Sequence, residues 1–348
     1  AGPTFHTNFK LTQCQPEKII LTNPSATIID SLTLKPHQLG HSRGRTTDGA
    51  ATWSVFTTPT PNAANAGAMQ EYATAPIMSV AAGFYGGTQS VIITTPDPNI
   101  TIRYTTNGNA PTGTSTVYSG AISVSTTTVL RAKCFSSTPT VPASFITSNT
   151  YFIGVTHTIP VVSVFGDQIM TLLNGTQINP VTGIEYFDKT GLFKTESYGV
   201  ANEHGNDSWS YPQRGIDMIS CDEYGYNYAL EEQFFPSTPR DKFQRVILKA
   251  AAGDNYPFEN PGNPYSWGPP TQLGATHLRD SYVHTLSDQA DLKLDERKSL
   301  NVIMYANGAY WGIYDMREKA DDADYTDYYY NQDVPFLEYL KTWGGTWE

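Results

Sequence analysis

The sequence predicts a multidomain, β-dominated chain in which two small all-β sandwiches are followed by an α+β module. Three observations carry this. Across the first 150 or so residues, short β-branched and aromatic runs recur between Pro, Gly, Asn and Ser turns, the spacing of small sandwiches. From about Gly154 the runs lengthen, and they are joined by one helical pattern and one hairpin. Finally, 348 residues with 39% hydrophobic, 12% aromatic and only 16% charged content supply two or three cores and carry no signature of disorder.

Residues 1–67 open with three candidate strands, Phe9 to Leu11, Ile19 to Leu21 and Thr27 to Leu34, divided by polar turns. Arg43 and Arg45 lie in a turn-rich stretch, where pairing with Asp48 or a backbone carbonyl is expected before any grip on a ligand. Thr57 to Asn65, with Pro59 and Pro61, reads as an extended linker. The string from Asn8 to Asn65, NFKLTQCQPEKIILTNPSATIIDSLTL and then SRGRTTDGAATWSVFTTPTPNAAN, resembles the lamin-tail domain, an immunoglobulin-like module of bacterial surface proteins. That resemblance implies opening strands which should lie before Ala1, so a partial domain is expected.

Residues 76–153 hold the second sandwich. Val91 to Thr94, Ile100 to Tyr104, Val117 to Tyr118, Ala121 to Val124 and Thr128 to Cys134 are its β runs, separated by Pro96-Asp-Pro98, Asn107-Gly108 and Ser119-Gly120. In its RYTTNG, YSG and LRA elements this stretch resembles the C-terminal domain of chitobiase and β-hexosaminidase, with Asn107 where an Asp is usual. The resemblance implies an accessory, immunoglobulin-like sandwich and not a catalytic unit. Tyr85, Tyr104 and Tyr118 are expected in core and cross-strand packing; a sugar-stacking platform, and with it a glycan partner, is the alternative.

Residues 154–348 form the third region. Thr158 to Phe165, Ile184 to Phe187, Gly215 to Ile219 and Phe243 to Lys249 read as strands, and Tyr228 to Phe235 as a strand or short helix. His277 to Ala290 is the helix: Leu278, Tyr282, Val283 and Leu286 fall on one face. Asn307-Gly308, between Val302 to Tyr305 and Tyr310 to Tyr314, is the dipeptide that best accommodates the positive φ angles of a tight hairpin turn. Its first arm is apolar on both faces and should be buried on both; its second delivers Arg317, Glu318 and Lys319 to a place where three charges need partners.

Charge and cysteine content exclude several classes. A net charge of −11 with no basic stripe argues against nucleic acid as a partner, and no apolar run reaches the ~20 residues of a transmembrane helix. Cys14, Cys134 and Cys221 are odd in number and widely spaced, so neither a dense disulfide framework nor a cysteine zinc site is expected. Three small buried thiols, or one disulfide and a spare thiol, both remain open.

P-loop, GxGxxG, HExxH, GxSxG and the ordinary protein-kinase signatures are all missing from the sequence. Three constellations are left. Lys249, at the end of its β run, could meet a phosphate with Glu318 holding it in an ion pair, the arrangement of phosphoryl-transfer sites; a structural salt bridge explains the same residues. Arg279, beside Asp280, could grip phosphate or tie down its helix. Glu203-His-Gly-Asn-Asp207 and the acidic run from Asp315 to Asp327 are read as a turn and a solvated face, and no metal site is assigned.

Four strings, RGIDMISCDEYGYNYALEEQFF, FQRVILKAAAGDNYPFE, LRDSYVHTLSDQADLKLD and VIMYANGAYWGIYDMREKADDADYTDYYY, together resemble the CotH family of atypical protein kinases. The resemblance implies a diverged kinase-like fold that uses ATP and a divalent metal, Mg, to phosphorylate extracytoplasmic protein, with Lys249, Glu318 and Arg279 on the cofactor side. It also implies catalytic Asp residues beyond Glu348, so a truncated module, inactive by itself and retaining no cofactor, is expected. With sandwiches in front, the layout resembles secreted or cell-surface multidomain proteins of the Bacteroidetes type, many of them exported by type IX secretion. A non-catalytic surface scaffold or adhesion protein, binding cell-surface components, is the competing expectation.

Overall fold

The computed structural model describes residues 11–15, 17–205, 209, 211–224, 226–251, 254, 276–292, 294–332, 341–342 and 346–347. Strand accounts for 39% of it and helix for 10%, so the chain is mostly β throughout.

The first region forms two antiparallel pairs, β1 (Lys18–Thr22) with β2 (Ile28–Thr33) and β3 (Ser42–Arg45) with β4 (Trp53–Phe56). The expected sandwich is therefore not assembled by the described residues: Ile20, Leu21, Ile28 and Ile29 on the first pair are exposed, with no second layer over them. Phe9 and Lys10 of the first candidate strand lie outside the described residues. Arg43 pairs with Glu71 at 2.8 Å and donates to the Pro36 carbonyl at 2.9 Å; Arg45 pairs with Asp30. Asp48, the expected partner, instead accepts from the Asn65 amide at 3.0 Å, because Asn65 closes its turn.

The second region is a sandwich as expected. Its strands are β5 (Ile77–Met78), β6 (Gly83–Tyr85), β7 (Gln89–Val91), β8 (Ile93–Thr94), β9 (Ile100–Thr105), β10 (Thr116–Val117), β11 (Ile122–Val124), β12 (Thr128–Ser136) and β13 (Thr147–Ile153). One sheet runs β10-β9-β12-β13-β6, faced by the pairs β5-β8 and β7-β11. Val91, Ile93, Val124, Leu130, Ala132 and Tyr151 fill the space between. Tyr85, Tyr104 and Tyr118 pack against that core. Alternation along the strands turns Tyr85 and Tyr104 inward, and Tyr118, just past β10, is held to the core by its hydroxyl, which accepts from the Ile93 N–H at 3.1 Å, so the three do not line an open face.

The third region is a closed barrel. Its strands β14 (Val161–Phe165), β15 (Val181–Phe187), β16 (Phe193–His204), β17 (Gly215–Ser220), β20 (Arg245–Lys249), β21 (Ser299–Ala306) and β22 (Ala309–Arg317) run in the order β14-β15-β16-β17-β20-β22-β21, closed by parallel pairing of β14 with β21. A small pair, β18 (Leu230–Glu231) with β19 (Lys242–Phe243), sits outside the ring. Inward positions, Val162, Val164, Ile184, Tyr186, Ala201, Ile216, Met218, Val246, Leu248, Val302, Met304, Tyr314 and Met316, form one core. Closure leaves no open sheet edge, which is why the strands tolerate apolar residues on both faces. Among the described residues three α-helices accompany it: α1 (Ile169–Leu173), α2 (Arg279–Gln289) and α3 (Ala323–Tyr330). The module is more strongly β than the α+β arrangement expected.

The hairpin β21-β22 turns at Asn307 (φ 48°) and Gly308 (φ 83°), the paired positive φ angles of the type I′ turn its sequence predicts. Val302 and Met304 face the barrel interior, and Ile303 and Tyr305 face the sandwich, where Phe152, Val161 and Phe187 join them in an aromatic seam between modules. Phe84 stacks on Phe152 at 4.3 Å between ring centres, and Tyr305 meets Phe152 edge-on at 4.8 Å. The Asn307 amide accepts from the Gly166 N–H at 3.0 Å and donates to its carbonyl at 3.1 Å. A β-carbon added at Gly108, in the sandwich's own Asn-Gly turn, would fall 2.2 Å from Asn307 Oδ1, so the two turns abut.

Candidate functional site

On β20 the side chains of Val246 and Leu248 enter the barrel core, which leaves Arg245, Ile247 and Lys249 on its outer face. Lys249 lies opposite Asp315 of β22 and Ile247 opposite Arg317, so Asp315 and Arg317 share that face. Asp280, in the first turn of α2, completes the group: it accepts from Lys249 Nζ and, at 2.7 Å, from Arg317 Nη1, while Arg317 Nη2 bonds Asp315. Burial opposes ionisation of Asp280, but the hydrogen bond from Lys249 and the charge of Arg317 outweigh it and hold its carboxyl well below the usual range. In Asp315 burial prevails over Arg317 and the carboxyl is pushed up; its Oδ1 is buried with no hydrogen-bond partner.

The expected Lys249–Glu318 ion pair is not formed. Asp315 and Arg317 point outward with Lys249, so Glu318, one residue on, has the opposite parity and lies past the strand end. It is fully buried, accepting from Arg240 Nη1 at 2.9 Å, from the Tyr329 hydroxyl at 3.0 Å and from the Lys298 N–H at 3.1 Å. Arg240 in turn bonds Asp324 of α3 at 2.6 Å and lies over the rings of Phe243 and Tyr328. Glu318 thus anchors α3 and the β18-β19 pair to the barrel. Arg279 is 55% exposed and pairs with Asp254 at 3.2 Å. Asp254 also accepts from the N–H groups of Thr276, Leu278 and Arg279, capping the start of α2 from outside the helix.

A second ionic knot lies beside the first. Asp217 of β17 meets Arg245 at 2.8 Å, Lys319 at 3.2 Å and His204 at 3.1 Å, and Arg245 reaches on to Asp322 at 2.7 Å. Burial works against the Asp217 carboxylate, but His204, Lys319 and Arg245 together keep it ionised to well below the usual range. Glu203 and His204 end β16, and Asn206 and Asp207 of the expected Gly-Asn-Asp turn lie outside the described residues. The acidic run is divided: Asp315 and Glu318 are buried, and Asp322 is the N-cap of α3 and accepts from the Asp324 N–H at 3.1 Å, so it is not one solvated face. All three cysteines are free thiols, Cys134 buried and the other two partly so. The site residues that sequence reasoning missed are Asp280, Arg317 and Arg240. An Asp in the first turn of a helix was the one available signal for the first.

Among the described residues, no helix is long and apolar enough to cross a membrane, and no group of three His, Cys, Asp or Glu side chains is placed to hold a metal. Residues 80–147 match the family model of the chitobiase/beta-hexosaminidase C-terminal domain. The match covers the second sandwich, from the end of β5 to the start of β13, and stops short of the barrel. A comparison with curated proteins finds none that matches the chain.

Proposed function

We propose that the barrel is a CotH-like module that binds ATP on its outer face and serves phosphoryl transfer to extracytoplasmic protein, with the sandwich as an accessory domain. The observation that supports this reading is Lys249, a strand lysine held by Asp280, a carboxylate supplied by a separate helix. Phosphoryl-transfer sites orient their phosphate-binding lysine in this way. The role first considered for Glu318 thereby passes to Asp280. Lys249 and the exposed Arg279, one residue from Asp280, fit a polyphosphate as a point charge and a planar fork. ATP would supply the transferable phosphoryl group and Mg its charge neutralisation; Lys249 would orient the nucleotide, and Asp280 would hold Lys249. No magnesium ligand is assigned, since the described residues hold no three-carboxylate cluster.

ATP binding measured calorimetrically with and without magnesium tests the reading. Lys249→Ala and Asp280→Asn should each weaken ATP by about tenfold, the worth of one charge-assisted hydrogen bond. Affinity unchanged from the parent in both variants, or no binding by the parent chain, removes the nucleotide from this face. A second reading, a non-catalytic secreted or cell-surface scaffold, is favoured by a different observation: Arg245, Lys249, Arg317 and Lys319 are each already neutralised by a carboxylate. It predicts no ATP binding, and loss of stability in the same variants.

A further inference from the structure

Where the sandwich, the first region and the barrel meet, a cleft of about 310 Å³ opens. Small-molecule sites start at about this size, and junctions between modules are where they concentrate. Independently of the ATP reading, we propose that this cleft binds a sugar ring bearing a single carboxylate, a uronic acid.

Arg131 and Lys133, two apart on β12, both project from the outer face of the sandwich sheet into the cleft. Neither has a carboxylate within ion-pair distance among the described residues, whereas Arg240, Arg245, Arg317 and Lys319 in the barrel each hold one. Arg131 Nε donates to Ser148 Oγ and Nη1 to the Gly108 carbonyl, both at 3.0 Å, and among the described residues Nη2 has no acceptor. Among the described residues Lys133 Nζ has one hydrogen-bond acceptor, the Gln38 side-chain oxygen at 3.3 Å. Burial, and then the neighbouring Arg131, pull the Lys133 ammonium below its ordinary value, so an anion arriving here relieves an unfavourable charge. Glu185 and Glu196 of the barrel temper the charge of Arg131 from beneath, but they do not line the cleft.

The remaining walls select among anions. Tyr226 stacks at 3.9 Å between ring centres on the buried Tyr198, and Tyr224 lines the cleft beside it, so that Tyr226 and Tyr224 give an aromatic surface suited to the C–H face of a pyranose. The Tyr226 hydroxyl is fixed by bonds to both the N–H and the carbonyl of Ile146, so that ring is pre-positioned. The Gln38 amide is engaged by Lys133 and by the Ala143 carbonyl, to which its Nε2 donates at 2.7 Å, but Asp167, which accepts from the Ala110 N–H at 2.6 Å, keeps a second carboxylate oxygen for a ligand hydroxyl. The Asp167 charge also repels a polyphosphate, which narrows the ligand to a single negative charge surrounded by hydroxyls.

The test titrates the 348-residue chain with galacturonate, galactose and inorganic phosphate by calorimetry. Galacturonate should bind saturably, with galactose about tenfold or more weaker, the difference one charge-assisted bond makes. Lys133→Gln should lower galacturonate affinity by about tenfold and leave galactose unchanged. Tyr224→Ala should weaken both sugars, and added salt should weaken only galacturonate. The proposal is overturned if galacturonate shows no saturation up to about 30 mM. It is equally overturned if galactose or phosphate binds as tightly, or if Lys133→Gln and Tyr224→Ala, with melting transitions like the parent's, bind as the parent does.

Discussion

Replacing Glu196 by Gln should change how stability depends on pH. Glu185 and Glu196 sit directly opposite each other on β15 and β16, on the barrel face that meets the sandwich. Glu185 is fully buried and accepts from the Thr150 N–H at 3.1 and 3.3 Å. Burial, opposed in part by Arg131, pushes the Glu196 carboxyl up from 4.5 to about 7. A group with a raised folded-state value stabilises the fold fully below its unfolded value and loses that contribution as pH climbs through the folded one. The window here runs from about 4.5 to about 7, and that rise at ~1.4 kcal/mol per pH unit sets an upper bound of ~3.5 kcal/mol. Glu196→Gln, neutral and nearly isosteric, should therefore match the parent near pH 4 and exceed it by up to ~3.5 kcal/mol near pH 8. Burial and the Glu196 charge also push Glu185 well up, so the slope is reduced but not abolished. Urea unfolding at the two pH values measures the difference. An identical gap between variant and parent at both, or a larger deficit for the variant at pH 8, would refute the reasoning.

Other outcomes follow from the same geometry. Glu318→Ala leaves Arg240, which is 2% exposed, with Asp324 as its remaining carboxylate partner, takes the acceptor from the Tyr329 hydroxyl and the Lys298 N–H, and should cost about 3 kcal/mol in chemical denaturation; a loss below ~1 kcal/mol would show that the pair is not a buried one. Gly108→Ala meets both a φ of 78° and the Asn307 side chain, and should destabilise by roughly 1–3 kcal/mol in a thermal melt. An unchanged melting temperature would mean the two turns do not touch. Val283→Ser, on the exposed side of α2, should stay within about 0.5 kcal/mol of the parent in the same assay.

What could be read from the sequence was local. Asn307-Gly308 specifies its turn through backbone sterics alone, and the β runs of the second sandwich show in spacing and turn residues. Barrel closure was not legible, because it depends on Val161 meeting Ile303 in a parallel pair far away in sequence, for which strand periodicity carries no sign. The ion-pair partner of Lys249 depends on strand parity and on where α2 docks, so Glu318 and Asp280 were indistinguishable until the register was known. The periodicity of α2 was visible, yet Leu278, Tyr282, Val283 and Leu286 are exposed. The described contacts of this helix are polar: ion pairs through Asp280, Asp254 and Asp288–Lys298, and hydrogen bonds from Ser287 to Glu296 and from the Arg297 N–H to His284.

The abutting Asn-Gly turns bear on how the molecule comes apart. Only Gly154 to Pro160 join the sandwich to the barrel along the chain, while Asn307, some 150 residues later, reaches back to lie against Gly108. A protease nick within that short joint would cut the covalent link yet leave the aromatic seam and the turn contact intact. The two products should then migrate together under native conditions and separate only when denatured.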